Sequence, residues 1–247
     1  MSGAERAIVG FGIAFATKPR RAGLPFWNRH PSLMPLRAAI VPVTPFQQNC
    51  SILWCDASNR AAIVDPGGDL PRILAAIEKT GVTPEKILLT HGHIDHAGGA
   101  MDLKEALGVE IIGPHEADRS MLANLDNQAK RFGLTDAVRN CTPDRFLSEG
   151  ETVSFGEHVF EVLHCPGHAP GHVVYYNAAA RFAHVGDVLF QGSVGRTDLP
   201  GGDHAALIRS IKEKLLPLGD DVRFICGHGP GGRFGDERRG NPYLLEE

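Results

Sequence analysis

The segment Thr90-His91-Gly92-His93-Ile94-Asp95-His96 places three imidazoles and a carboxylate within six residues. These are nitrogen and oxygen ligands of the kind transition metals take, and they are costly to hold side by side unless a cation binds them. Three further candidates arrive singly, each in a turn rich in Gly or Pro: His168 in Cys165-Pro166-Gly167-His168, Asp187 after Gly186, and His228 in Cys226-Gly227-His228-Gly229-Pro230. Seven such ligands exceed the tetrahedral set of one zinc ion and suit two ions. His91 and His93 are two residues apart, which is wrong for one face of a helix. On a loop after a strand, both can turn to a single ion. Asp95 and His96 then serve a neighbouring ion, His168 completes three nitrogens around the first, and His228 joins the second. Asp187 is placed to bridge ions roughly 3.5–4 Å apart, as in two-metal hydrolytic sites.

The remaining polar candidates have plainer readings. His164, His172, His184 and His204 are isolated and read as capping, surface or supporting residues. Asp65 reads as a turn former or as a hydrogen-bond partner that steadies a metal ligand. Cys165 and Cys226 lie near proposed ligands, but a small apolar Cys at a strand end packs more often than it reacts. Arg196, in the Gly-containing segment 191–198, is a candidate for a substrate carboxylate or for a structural salt bridge.

The elements that must position these residues read as one continuous domain over 38–247. Apolar or alternating runs at 39–43, 50–55 and 61–65 predict consecutive strands separated by turn residues. Asp69 is placed to cap a helix with Ile73, Leu74 and Ile77 on its apolar face and Gly81 as its stop. A buried-type strand at 86–90 leads straight into the histidine cluster, with His96 near the start of a helix through Met101, Leu103 and Leu107. A strand at 110–113 and a helix over 116–132 complete the first half. In the second half, strands are expected at 152–155, 158–164, 172–176, 182–185 and 223–226. A helix over 205–216 carries an Asp203 cap. His168, Asp187 and His228 each fall just past a strand, where α/β proteins gather ligands. The fold class expected is α/β: a four-layer αβ/βα sandwich of two mixed β-sheets with helices outside and all seven candidates at one edge.

Composition sets limits on function. The chain has 247 residues, 43% of them apolar, and 25 Lys plus Arg against 29 Asp plus Glu, a net charge of −4. That balance gives no reason to expect a nucleic-acid partner, and no apolar run approaches the roughly 20 residues needed to span a bilayer. Five cysteines in no paired spacing favour a reducing compartment, with the cytoplasm as the default. Residues 1–37 hold six basic side chains and one acid and read as an N-terminal extension, disordered or loosely docked. Its apolar stretch 7–16 has features of a signal-peptide core, so export is the alternative there. Oligomeric state is left open.

His91-Gly92-His93-Ile94-Asp95-His96 resembles the H-x-H-x-D-H motif of the metallo-β-lactamase superfamily, and Pro166-Gly167-His168, Gly186-Asp187 and Gly227-His228 follow in that superfamily's order. Within it the chain is similar to the glyoxalase II group, the hydroxyacylglutathione hydrolases, and especially to short bacterial members consisting of the catalytic domain alone. Val64-Asp65-Pro66-Gly67-Gly68 and Gly195-Arg196-Thr197-Asp198 support the resemblance, which runs from about residue 38 to the end. It implies that His91, His93 and His168 bind one divalent ion, that Asp95, His96 and His228 bind a second, and that Asp187 bridges. Zinc is the expected metal, with iron or manganese as alternatives. Longer glyoxalase II enzymes carry a C-terminal helical domain that holds glutathione, whereas nineteen residues follow His228 here, so weak affinity for a glutathionyl group is expected.

The reaction so implied is hydrolysis of a small-molecule glutathione thioester, with S-D-lactoylglutathione the leading substrate. A metal-bound water, its pKa lowered to about 7, supplies the hydroxide, and Asp95 orients it. The rival on the same fold is an iron-dependent persulfide dioxygenase, whose single metal would sit on His91, His168 and Asp187. β-Lactam hydrolysis and a metal-binding protein without turnover are further alternatives.

Overall fold

The computed structural model describes residues 35–134 and 138–245. The N-terminal arm and its apolar stretch 7–16 lie outside the described residues. Chain order begins with a meander, β1 (Leu36–Val43), β2 (Gln48–Cys55) and β3 (Arg60–Val64), in which each strand pairs antiparallel with the next. Helix α1 (Leu70–Thr80) then carries the chain over to β4 (Thr83–Leu88), parallel to β3. Two short helices follow, α2 (Ile94–Ala97) and α3 (Ala100–Leu107), and β5 (Glu110–His115) joins parallel to β4. After α4 (Arg119–Leu122) and α5 (Leu125–Arg131), β6 (Arg145–Leu147) closes a six-stranded mixed sheet in sequence order.

The second sheet is also six-stranded and mixed. Its members are β7 (Thr152–Phe155), β8 (His158–His164), β9 (Val173–Asn177) and β10 (Phe182–Gly186), followed by β13 (Arg223–Cys226) and β14 (Gly232–Arg233). Between β10 and β13 the chain forms a hairpin of β11 (Leu189–Phe190) and β12 (Ser193–Val194) and helix α6 (His204–Ser210). Helices α7 (Phe234–Gly240) and α8 (Pro242–Leu245) end the described chain.

Strand alternation makes the layers. Along β3, Ala61 and Ile63 face the cluster shared with α1 and α3, whereas Ala62 and Val64 face the other sheet. Along β9, Val173 and Tyr175 join those residues in the intersheet core, and Val174 and Tyr176 belong to the outer cluster that includes Leu207 of α6. Period-2 side chains on strands buried on both faces therefore give three apolar layers, separating helix, sheet, sheet and helix. This is the αβ/βα sandwich with two mixed sheets that the sequence predicts. Among the described residues, no helix is long and apolar enough to cross a membrane.

Several local expectations are corrected. Asp69 precedes α1 but does not cap it, because its left-handed backbone (φ 51°) turns the carboxylate away to accept the Thr44 amide at 2.8 Å. The helix expected over 116–132 is broken into a 3₁₀ turn (Glu116–Asp118), α4 and α5, with the Asp118 carboxylate engaged elsewhere. The helix expected over 205–216 is regular only through Ser210, then widens into a π turn (Ile211–Leu215) and tightens into a 3₁₀ turn (Leu216–Leu218). Pro217 supplies no amide for a regular continuation.

Candidate metal centre

Topology brings the candidate ligands to one rim. β8 and β10 both run antiparallel to β9, and β13 runs parallel to β10. The C-terminal ends of β8, β10 and β13 therefore share an edge of the second sheet, and His168, Asp187 and His228 lie just beyond them. From the first sheet, the chain leaving β4 supplies His91 and His93. Asp95 and His96 sit on the single-turn α2, separate from α3, instead of opening one long helix as expected. Gly67 admits this turn against the loop after β3, since a Cβ there would fall 1.5 Å from the Asp95 carbonyl oxygen.

All seven residues converge in three overlapping groups: His91, His93 and His168; Asp95, His96 and His228; and His91, His96 and Asp187. Within each group the ligand atoms lie within 4.8 Å of one another. His93 Nδ1 is 2.9 Å from both His91 Nε2 and His168 Nε2. Asp187 reaches both sets, with Oδ1 3.4 Å from His96 Nε2 and Oδ2 3.4 Å from His228 Nε2 and 3.6 Å from His168 Nε2. Asp95 Oδ2 lies 3.2 Å from His228 Nε2.

The far nitrogens assign the tautomers. His168 Nδ1 donates to the Arg196 carbonyl at 2.8 Å, and His228 Nδ1 to the Phe46 carbonyl at 3.2 Å. His96 Nδ1 donates to Asp65 Oδ2 at 2.9 Å. The Thr90 hydroxyl donates to Asp65 at 2.7 Å and so accepts from His91 Nδ1 at 3.0 Å. Each of these four rings thus turns Nε2 inward, free to meet a bound cation, the arrangement by which outer partners orient metal-bound histidines. Lone pairs facing one another need a cation between them. His96 Nε2 and Asp187 Oδ1 are moreover buried without a hydrogen-bond partner, a costly state for polar atoms. The donor set fits two divalent ions.

The two groups differ in protonation. Burial, joined by the neighbouring imidazoles, holds His91 well below the ordinary range, His93 at about 3 and His168 below its usual value. Burial also opposes charge on His96 and His228, but Asp187 and Asp95 outweigh it, raising His96 well above the usual value and His228 to about 9.

The metallo-β-lactamase superfamily model matches residues 43–228. The chain belongs to the metallo-β-lactamase superfamily. Hydroxyacylglutathione hydrolase GloC of Haemophilus influenzae is 50% identical over 206 residues, covering 83% of this chain and 96% of that enzyme. Among solved structures, BLEG-1 B3 metallo-β-lactamase superposes with a TM-score of 0.78 at 36% identity, over 85% of this chain and all of that one. TTHA1623 in a di-iron-bound form gives 0.75 at 41% identity, over 83% and 99%. This member of the superfamily is a metallo-hydrolase.

Around the superfamily's metal rim lies a cleft of about 600 Å³, with His93, Asp95, His168, Asp187 and His228 in its wall and Phe46, Phe132 and Phe190 among its apolar lining. Arg196 also lines it. Its guanidinium is paired in parallel with Asp198 at 2.7 Å on both arms, while its carbonyl holds His168. Asp65 is fully buried and steadies His96 and Thr90, the supporting role considered for it. His172, also read as supporting, accepts the Asp187 amide at 3.0 Å and stacks on His91. His184 meets Ser51, and His164 the Pro170 carbonyl, both away from the ligand groups. Cys165 and Cys226 are buried thiols pushed up to about 12 by burial, so neither is a thiolate near neutral pH.

Three supporting residues escape the sequence reading. Asn49 donates to the carbonyls of Cys226 and Gly229, gripping the turn that carries His228. Gln128 accepts the Ile94 amide and donates to the Gly92 carbonyl, and Asp118 accepts the Gly92 amide. Asp118 and Gln128 both fall within the helix expected over 116–132, and nothing in the local pattern of any of the three points to a loop distant in sequence.

Proposed function

We propose that this enzyme hydrolyses a glutathione thioester, with S-D-lactoylglutathione as the leading substrate and D-lactate and glutathione as products, using two divalent ions, zinc first among them. The ligands would be His91, His93 and His168 for one ion and Asp95, His96 and His228 for the other, with Asp187 shared. The observation that carries this reading is Asp187, whose two oxygens face both imidazole sets at the wall of an open cleft. Such ions, when bound, supply Lewis acidity and lower the pKa of water to about 7.

The chain's own part is positioning. Burial works against the Asp95 carboxylate, but His96 and His228 hold its pKa below the usual value. It stays ionised and can accept a hydrogen bond from an attacking water. Phe46 and Phe132, ring centroids 5.5 Å apart, form an apolar wall of the cleft. A thiol has a pKa of about 8.5, so the leaving group departs as thiolate without a side-chain acid. Arg196 would meet a substrate carboxylate by exchanging Asp198 for it. The five free, buried cysteines accord with the cytoplasm as the site of action.

Protein loaded separately with zinc, iron and manganese should release thiol from S-D-lactoylglutathione. Bound metal with no turnover of any thioester would refute the proposal. Oxygen uptake with glutathione persulfide would instead establish the dioxygenase reading, against which the complete second ligand group already stands.

A further inference from the structure

Asp118 is fully buried, and among the described residues no cation pairs with it. Its two oxygens are used by two backbone amides. Oδ2 accepts from Gly92, between His91 and His93, at 2.8 Å, and Oδ1 accepts from Gly171, in the loop after His168, at 2.5 Å. Both glycines are shaped around it. A Cβ at Gly92 would lie 3.3 Å from the Asp118 Cβ and 2.9 Å from that of Met121, and a Cβ at Gly171 would lie 2.6 Å from the Asp118 amide nitrogen and 2.8 Å from its Cγ. The Gly171 carbonyl in turn accepts the His115 amide at 3.0 Å, so the contact is closed from both sides. One loop belongs to the first sheet and the other to the second. Asp118 is the residue whose side chain joins them beside the three imidazoles.

We propose that Asp118 is a positioning residue: its carboxylate ties the loop of His91 and His93 to the loop of His168 and so sets the convergence of these imidazoles on one cation. This rests on reading the three histidines as ligands, but not on the identity of the substrate. A buried carboxylate without a counter-charge is expensive. Burial pushes the Asp118 carboxyl up to about 6, with the two amides pulling against that rise. A neutral residue tying nothing would be cheaper in that place. An amide side chain has one acceptor oxygen against the carboxylate's two. Asp118→Asn therefore keeps the shape and loses one of the two ties.

The test is zinc binding to the full, metal-stripped chain, read by competition with a chromophoric chelator. His228→Ala serves as the background because it breaks the group of Asp95, His96 and His228 and leaves the three-imidazole group complete. There, D118N should weaken the remaining ion about 10–100-fold, the usual consequence of losing an outer partner. In the otherwise unaltered chain, the carboxylate-rich site should change less than about 3-fold by the same comparison, with a cooperative thermal melt of the metal-free protein retained. Undiminished binding at the three-imidazole group would overturn the proposal, and so would an equal loss at both sites. Should D118N fail to melt cooperatively, hydrogen exchange in the metal-free wild type decides: slow exchange at both Gly92 and Gly171 amides supports the tie, and fast exchange at either overturns it. Wild type that binds two zinc ions yet cleaves no thioester would sink the proposed function and leave this inference standing.

Discussion

Around His91, His93 and His168 the chain gathers imidazoles with no carboxylate in the group, whereas Asp95, His96 and His228 mix acid and base in the same small space. In the first set, burial and like neighbours keep the nitrogens neutral, so a cation displaces no proton there. In the second, carboxylates hold protons on His96 and His228 that a cation must expel. Two sites sharing Asp187 should therefore respond differently to pH, although they sit in one cleft.

The harshest way to break the comparison is to remove what the two sites share. Asp187→Ala should lower zinc content at both groups and cut turnover by more than about 100-fold, since even outer-shell partners cost 10–100-fold. Metal analysis beside a thioester assay checks it, and loss at one group alone would show that Asp187 serves only that group.

Acidity should separate the groups by nearly as much. Zinc binding to the carboxylate-rich group should strengthen about 100-fold per pH unit between pH 6.5 and 8.5 as the His96 and His228 protons are both released, while the three-imidazole group stays nearly flat. In metal-free protein, a histidine raised from 6.5 to about 9 contributes stability that is fully present below 6.5 and disappears as pH rises through 9. The lowered histidines act on the acid side of that window. The metal-free melting temperature should thus fall from pH 6.5 to 9, and H228A should flatten the slope.

A finer cut goes through Asp65, which binds His96 directly and His91 only through the Thr90 hydroxyl. Asp65→Asn should weaken the carboxylate-rich site by about 10-fold and the three-imidazole site by less, as measured by chelator competition. Arg196→Ala should have the smallest effect on the metals, because it is the carbonyl of that residue that holds His168. The exposed pair with Asp198 contributes little. Its expected signature is a raised KM for an anionic thioester with unchanged zinc content, and lost zinc would reverse that assignment.

The first sheet and the second were not equally readable. His91, His93, Asp95 and His96 stand together in the chain, and the strand before them is a plain apolar run, so their neighbourhood is local. His168, Asp187 and His228 could be picked out as turn residues after strands, but their meeting depends on β8, β10 and β13 ending on one edge. Helix ends were less legible. Asp69 looks like a cap, yet a tertiary contact with Thr44 takes its carboxylate. Asp118 interrupts an apparent helix because two remote amides bind it more usefully than a helix end would.

By itself, the amino-acid order determined which side chains can serve as ligands, the α/β alternation and the apolar periods that build two sheets, because residue type and spacing are local properties. Tertiary structure alone decided which nitrogen of each ring turns inward, that Asp187 faces both imidazole sets, and that Asp65, Asn49, Asp118 and Gln128 hold the ligand loops. Those choices rest on hydrogen bonds between residues far apart in the chain, for which buried donors and acceptors must find partners only once the layers have closed.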